Sequence, residues 1–271
     1  MIRTDLEELI GQALIEEVLT SPKPGLVDLF DNGAHKDMDV ETFRKSSEAI
    51  APYLAEMAGI GYLEENPDLI FPKIRTIGIE AEKAMFEATD GINTHKGAIF
   101  TLGVILAGYG HCLRKETVSP DEIFYTVIRL TYDHLKNDFE QMSNENPETK
   151  GEILFNQHKE TGVRGQCMAG YPVIRKAYDF YKNDRHPETQ RRLRALLLNM
   201  SLLNDTNVVS RSCYEKLEEL QGRSREILEN WNDEWESRLT DLNRWCIEEN
   251  ISPGGSADVL AAVLLLDKLK I

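Results

Sequence analysis

The residues best suited to chemistry lie in short, polar, Gly-rich interruptions between apolar stretches. One runs Thr89-Asp90-Gly91-Ile92-Asn93-Thr94-His95-Lys96-Gly97. Here Asn93 or Thr94 can cap a following helix, and Gly97 lets a ligand approach the backbone closely. The free N–H groups of that helix's first turn would form an anion site, to which His95 and Lys96 add side-chain donors. Ser252-Pro253-Gly254-Gly255-Ser256-Ala257-Asp258 repeats the logic. Gly254 and Gly255 permit an unusual turn, and Ser256 can cap the apolar helix that follows from Val259. In Thr161-Gly162-Val163-Arg164-Gly165 an arginine stands between glycines, a setting that suits a guanidinium reaching for phosphate. Asp205 can cap a helix on which Asn207 and Arg211 share one face at i,i+4. Segment 21–39 gathers Lys23, Asp28, Asp31, Asn32, His35, Lys36, Asp37 and Asp39, acids beside cations that could hold a metal and a phosphate together.

Each segment also reads plainly as a helix cap or a solvated loop. Their number in one chain is what points to phosphate binding. Neither standard nucleotide motif is present. Gly-x-x-x-x-Gly-Lys-Ser/Thr is unmatched, and Gly59-Ile60-Gly61 lacks the third glycine of a dinucleotide fingerprint.

The elements that must position these segments are helical. Leu6, Leu9, Ile10, Ala13, Leu14 and Val18 repeat at helical spacing after a Thr4-x-x-Glu7 capping box, and Pro22 and Pro24 stop the helix. Further helices are predicted near 39–62, 67–89, 97–112, 120–137, 147–160, 165–183, 187–203, 206–220, 223–249 and 256–270. Alternating runs rich in Val, Ile and Thr are nearly absent, so no sheet is expected. The prediction is a compact, multi-helix, all-α single domain over residues 1–271, its site formed by Gly-rich segments at helix mouths.

A net charge of −15 opposes non-specific nucleic-acid binding, yet leaves room for a local cluster that holds a small anion. No apolar run approaches the roughly 20 residues of a membrane span. The acidic start, Met1 to Glu8, lacks a secretory apolar core, so a cytoplasmic protein is expected. Cys112, Cys167, Cys213 and Cys246 are scattered among apolar neighbours and read as reduced packing residues. Trp231 and Trp235, at i,i+4, are expected to share one packed helix face.

Taken together, Ser21-Pro22-Lys23-Pro24-Gly25-Leu26-Val27-Asp28, Asn32 to Asp39, Gly91 to Phe100, Gly162-Val163-Arg164-Gly165, Asp205-Thr206-Asn207 and the 252–258 segment resemble the motifs of triphosphoribosyl-dephospho-coenzyme A synthases. They occur in family order over nearly the whole chain. Ile92 stands where the family often has Val, and Gln166-Cys167 follows Arg164-Gly165 where Glu-Ala is expected.

The resemblance implies transfer of the triphosphoribosyl group of ATP to the 2′-hydroxyl of dephospho-coenzyme A, with release of adenine. The product would be the prosthetic-group precursor for the acyl carrier protein of citrate lyase, or in a related branch of malonate decarboxylase. A downstream holo-acyl-carrier-protein transferase would consume it, and a homodimer is compatible with the reading. Breaking the glycosidic bond builds positive charge at the ribose C1, which a carboxylate can stabilise. The triphosphate stays whole, so cations, helix-mouth donors and Mg²⁺ need only hold it.

The expected binding residues are Lys23, Asn93, Thr94, His95, Lys96, Gly97, Arg164, Asn207, Arg211, Gly254, Gly255 and Ser256. Asp205, Asp37 and His35 are expected to be catalytic, and Asp39 and Asp258 to bind metal. A metal-dependent ADP-ribosyl hydrolase and a non-catalytic nucleotide-binding accessory subunit are the alternatives.

Overall fold

The computed structural model describes residues 3–115, 118–142 and 150–271. The chain begins with α1 (Arg3–Leu19), α2 (Val40–Leu63), α3 (Pro67–Ala88), α4 (Lys96–Cys112) and α5 (Pro120–Met142). Next come α6 (Lys150–His158), α7 (Gly162–Met168), α8 (Pro172–Asn183) and α9 (Glu188–Leu202). The last four are α10 (Thr206–Arg211), α11 (Tyr214–Glu229), α12 (Trp235–Glu248) and α13 (Gly254–Lys268). No strand occurs among the described residues, as the missing alternation predicts. The predicted start of the 147–160 helix, residues 147–149, lies outside the described residues.

The chain divides into two compact units. The first comprises Met1–Gly11, Ser46–Pro172 and Leu269–Ile271. Its centre is α4, buried along almost its whole length and packed against α3, α5 and α7. A Cβ on Gly61 would stand 2.0 Å from the Ala107 carbonyl oxygen, and one on Gly110 2.0 Å from that of Ala58. The α2 and α4 backbones therefore touch directly, an approach that only glycine allows.

The second unit comprises Gln12–Lys45 and Val173–Lys268. Here α9 packs on α11 and α13, while α10 touches both α11 and α13. The α13 run Val259–Leu266 is buried throughout, so its polar N-terminus is held by a helix fixed in the core.

The structure divides three long predicted helices. The 165–183 stretch breaks at Gly170 and Tyr171, both at positive φ. The 206–220 stretch breaks at Ser212 and Cys213, whose backbones are non-helical. In the 223–249 stretch, Asn230 Nδ2 donates back to the Glu226 carbonyl and Asn232 Oδ1 accepts from Glu234 N at 2.8 Å. Asparagine side chains compete there for the backbone and end α11. Trp231 and Trp235 therefore share no continuous helix, although their rings still stack with centroids 5.5 Å apart. Of the four cysteines, Cys213 is exposed at the N-cap of α11 rather than packed in the core.

Candidate active site

The loop after α1 is tied by its own acids. Asp28 accepts the amides of Lys23 (2.6 Å), Phe30 (2.7 Å) and Asp31 (3.2 Å). Asp31 accepts from Gly33 N at 2.7 Å and from Asn243 Nδ2 at 2.9 Å, while Asn243 Oδ1 accepts from Gly25 N at 2.8 Å. These two acids, which the sequence offered as metal ligands, are engaged in shaping the loop. Gly25 adopts φ +71°, and a Cβ there would stand 2.3 Å from the Ile251 carbonyl oxygen. The 21–39 loop and the 250–253 turn are thus pressed together.

Asp205 joins two helix mouths. It caps α10, Oδ1 accepting from Asn207 N at 3.1 Å. Its Oδ2 accepts from Ser256 N at 2.9 Å and from Ser256 Oγ at 3.2 Å. Ser256 therefore does not cap α13, which starts at Gly254; its hydroxyl serves Asp205 instead. A Cβ on Gly254 would come within 3.0 Å of Asn207 Nδ2, and one on Gly255 within 3.0 Å of Asp205 Oδ1. Burial raises the Asp205 carboxyl above its usual range, opposed by the amides of Ser256, Asn207 and Gly255 and by the Ser256 hydroxyl.

Asp258 follows on the first turns of α13 and is half-buried. It makes no hydrogen bond or ion pair among the described residues. Burial, then the negative charges of Asp205 and Glu17, push its carboxyl well above the ordinary range. Glu17 in turn pairs with Lys23 Nζ at 2.5 Å, both side chains almost inaccessible. Burial raises the Glu17 carboxyl, and Lys23 opposes that rise. Of the three carboxylates, Glu17 is the one that pairs with the buried Lys23. The sequence reading missed Glu17, although the signal was there: it interrupts the apolar stripe Ile10, Ala13, Leu14 and Val18.

His35 Nε2 lies 2.7 Å from Ser252 Oγ, and its Nδ1 lies 3.8 Å from the exposed Asp37 carboxylate. Burial, reinforced by the Arg211 guanidinium, lowers the imidazole below its usual value, and Asp37 partly offsets this. Arg211 spans the neighbouring loops, donating to the Ala34 carbonyl at 2.6 Å and to Asn250 Oδ1 at 2.8 Å. Asp39 stands apart, exposed. Its Oδ1 accepts from Thr42 N and Oγ1, both at 2.8 Å, which holds the entry to α2. Among the described residues, no group of three or more His, Cys, Asp and Glu side chains is arranged around a metal position.

The first unit holds the other predicted residues. His95 is the N-cap of α4 and is buried; its Nδ1 lies 2.7 Å from Ser46 Oγ, which also accepts from Thr94 Oγ1 at 2.6 Å. Asn93 Oδ1 accepts from Lys96 N at 3.3 Å, while Gly97 follows in the first turn. Lys96 Nζ pairs with Glu82 at 2.9 Å. Arg164 makes no ion pair among the described residues and donates only to Met142 Sδ, at 3.5 Å. Ser46 is a second missed residue, a buried hydroxyl on the apolar face of α2.

Residues 3–271 match the CitG family, ATP:dephospho-CoA triphosphoribosyl transferase, and the chain belongs to that family. A Haemophilus ducreyi protein named 2-(5''-triphosphoribosyl)-3'-dephosphocoenzyme-A synthase is 37% identical, the match covering 96% of this chain and 86% of that one. A Photobacterium profundum protein with the same name in provisional form is 38% identical, over 98% of this chain and 88% of its own. A solved chain from Archaeoglobus fulgidus, provisionally named triphosphoribosyl-dephospho-coA synthase, shares the fold at TM-score 0.51 and 13% identity. That likeness covers 83% of this chain and 96% of the other.

Proposed function

We propose that this protein transfers the triphosphoribosyl group of ATP to the 2′-hydroxyl of dephospho-coenzyme A and releases adenine. The observation that carries the reading is Asp205, a carboxylate fixed by N–H and O–H donors from two helix mouths beside a second, unpartnered carboxylate, Asp258.

In this account Asp205 supplies the fixed negative charge that stabilises the ribosyl cation as the glycosidic bond breaks. Its four donors hold it still, so little reorganisation accompanies the reaction. His35, kept neutral by burial and Arg211, accepts the proton of the attacking hydroxyl, with Ser252 orienting the ring. The backbone at Gly254 and Gly255, the Asn207 amide group and Arg211 receive phosphate oxygens, and Asn93 to Gly97 and Arg164 offer further donors for the substrates.

Asp258 fits a divalent cation: it is a carboxylate without a partner, surrounded by excess negative charge. Mg²⁺ commonly uses only one or two protein carboxylates together with substrate phosphates. Held there, the ion would neutralise triphosphate charge. Asp39 fits less well, its oxygen being engaged in the helix cap.

No helix among the described residues is long and apolar enough to cross a membrane. We assign the protein to the cytoplasm, where both nucleotides are made, and its product to a downstream transferase that loads a carrier protein.

The test is incubation with ATP and dephospho-coenzyme A followed by mass spectrometry. The expected products are free adenine and a triphosphoribosyl adduct. Adenine without adduct identifies a hydrolase, and neither product identifies a binding subunit.

A further inference from the structure

Within the first unit a cavity of about 380 Å³ opens between α3, α4 and α5, within the range of small-molecule sites. Gly78 on α3 and Gly103 on α4 both line it. A Cβ on Gly78 would meet Met57 Cε at 3.6 Å, an ordinary contact distance, so a methyl group fits there without a clash. At Gly103 the Met57 sulfur already occupies the place, 2.3 Å from where a Cβ would sit. Each glycine inside a helix costs about 1 kcal/mol relative to alanine. At Gly78 no steric clash accounts for that cost.

The lining selects the ligand. Met57, Phe71, Ile74, Ile99 and Val104 make much of its wall apolar, and the Gln141 amide lines it as well. Glu82, Asp138 and Glu152 face Arg75 and Arg164 around it, a balance that opposes a triphosphate. Arg75 is already paired with Asp138, and Glu82 with Lys96. Arg164, with no acidic partner among the described residues, can meet a phosphate at the edge of the cavity. An uncharged, flexible chain carrying methyl groups and a thiol, with a diphosphate at one end, satisfies all of these features.

We propose that the cavity between α3, α4 and α5 receives the pantetheine arm of dephospho-coenzyme A. The identity of the ligand rests on the proposed transfer reaction; the cavity's shape and charge do not.

Calorimetric titration of the full chain with dephospho-coenzyme A, with ADP (the same molecule without its arm) and with ATP tests the assignment. The wild-type chain should prefer dephospho-coenzyme A to ADP. Gly78→Leu should weaken dephospho-coenzyme A by about tenfold or more and leave ADP and ATP within about twofold. Gly78→Met gives the same readout with a more pliable side chain should the leucine variant fold poorly. Gly78→Ala, which adds only a methyl group and favours the helix, should raise the melting temperature and disturb binding less. A preference that survives in both larger variants overturns the proposal. So does a parallel loss of ATP binding, or a wild-type chain with no preference for the arm. Binding needs no turnover, so arm-dependent binding without transfer would refute the reaction and leave the cavity assignment standing.

Discussion

Asp258→Asn should make the protein more stable while making it a worse enzyme. The wild-type carboxyl is raised well above its ordinary range by burial and by the charges of Asp205 and Glu17. A group whose folded pKa is raised contributes stability below its unfolded pKa and loses it as pH rises through the folded value. Burying this ionisable carboxyl therefore costs stability at neutral pH relative to acid pH, a cost that the non-ionising asparagine avoids. Leaving a buried polar group without a partner costs about 1–3 kcal/mol and a charge more; asparagine keeps the unpartnered group and removes only the charge. Partial exposure puts the expected gain near the lower end, about 1 kcal/mol. For a chain of this size that is a rise of roughly 2–4 °C. Thermal unfolding of the metal-free protein from mildly acidic to mildly alkaline pH checks it. The gap between variant and wild type should shrink as pH falls, because both side chains are then neutral. A variant that melts below wild type at neutral pH, or a gap that ignores pH, would refute the electrostatic argument.

Asp205→Asn should cost turnover about 10²–10³-fold, the usual scale for losing one preorganised charge-stabilising group. It should also lower the melting temperature, because an amide cannot accept at both oxygens from Ser256 and Asn207; steady-state kinetics and calorimetry read the two effects. Lys23→Met strands Glu17 in the interior and should cost about 3–5 kcal/mol, whereas Lys23→Met with Glu17→Leu should recover most of that; denaturant titration of the three proteins decides it. Because burial and Arg211 lower the His35 imidazole below its usual 6.5, turnover should hold as the pH drops through that value and fall only at more acidic pH. His35→Gln should remove that acidic limb from the pH–rate profile.

Much of the architecture can be read from the sequence because helical signals are local. Pro22 and Pro24 end α1, Pro120 opens α5, and the Val259–Leu266 run announces a buried α13. The breaks inside the longer helices were not legible. At Asn230 to Glu234 the apolar periodicity continues, and only the asparagines' competition for backbone groups stops the helix. The site shows the same division. Asp205 and the 252–258 turn stood out as helix-cap chemistry, which depends on neighbours in sequence. Glu17 and Ser46 did not, because their partners Lys23 and His95 reach them through the fold. Lys23 and Lys96 looked like free cations and are paired with acids, a distinction that spacing along the chain does not carry.

The most direct test of the central claim follows the phosphate. ATP labelled at its γ-phosphate is incubated with the protein and dephospho-coenzyme A, and label in the adduct is compared with adenine released. The account predicts one labelled triphosphate in the adduct for each adenine, since the groups at the helix mouths hold the triphosphate without cleaving it. Label appearing as inorganic phosphate or pyrophosphate, or adenine formed at the same rate without the acceptor, would contradict it.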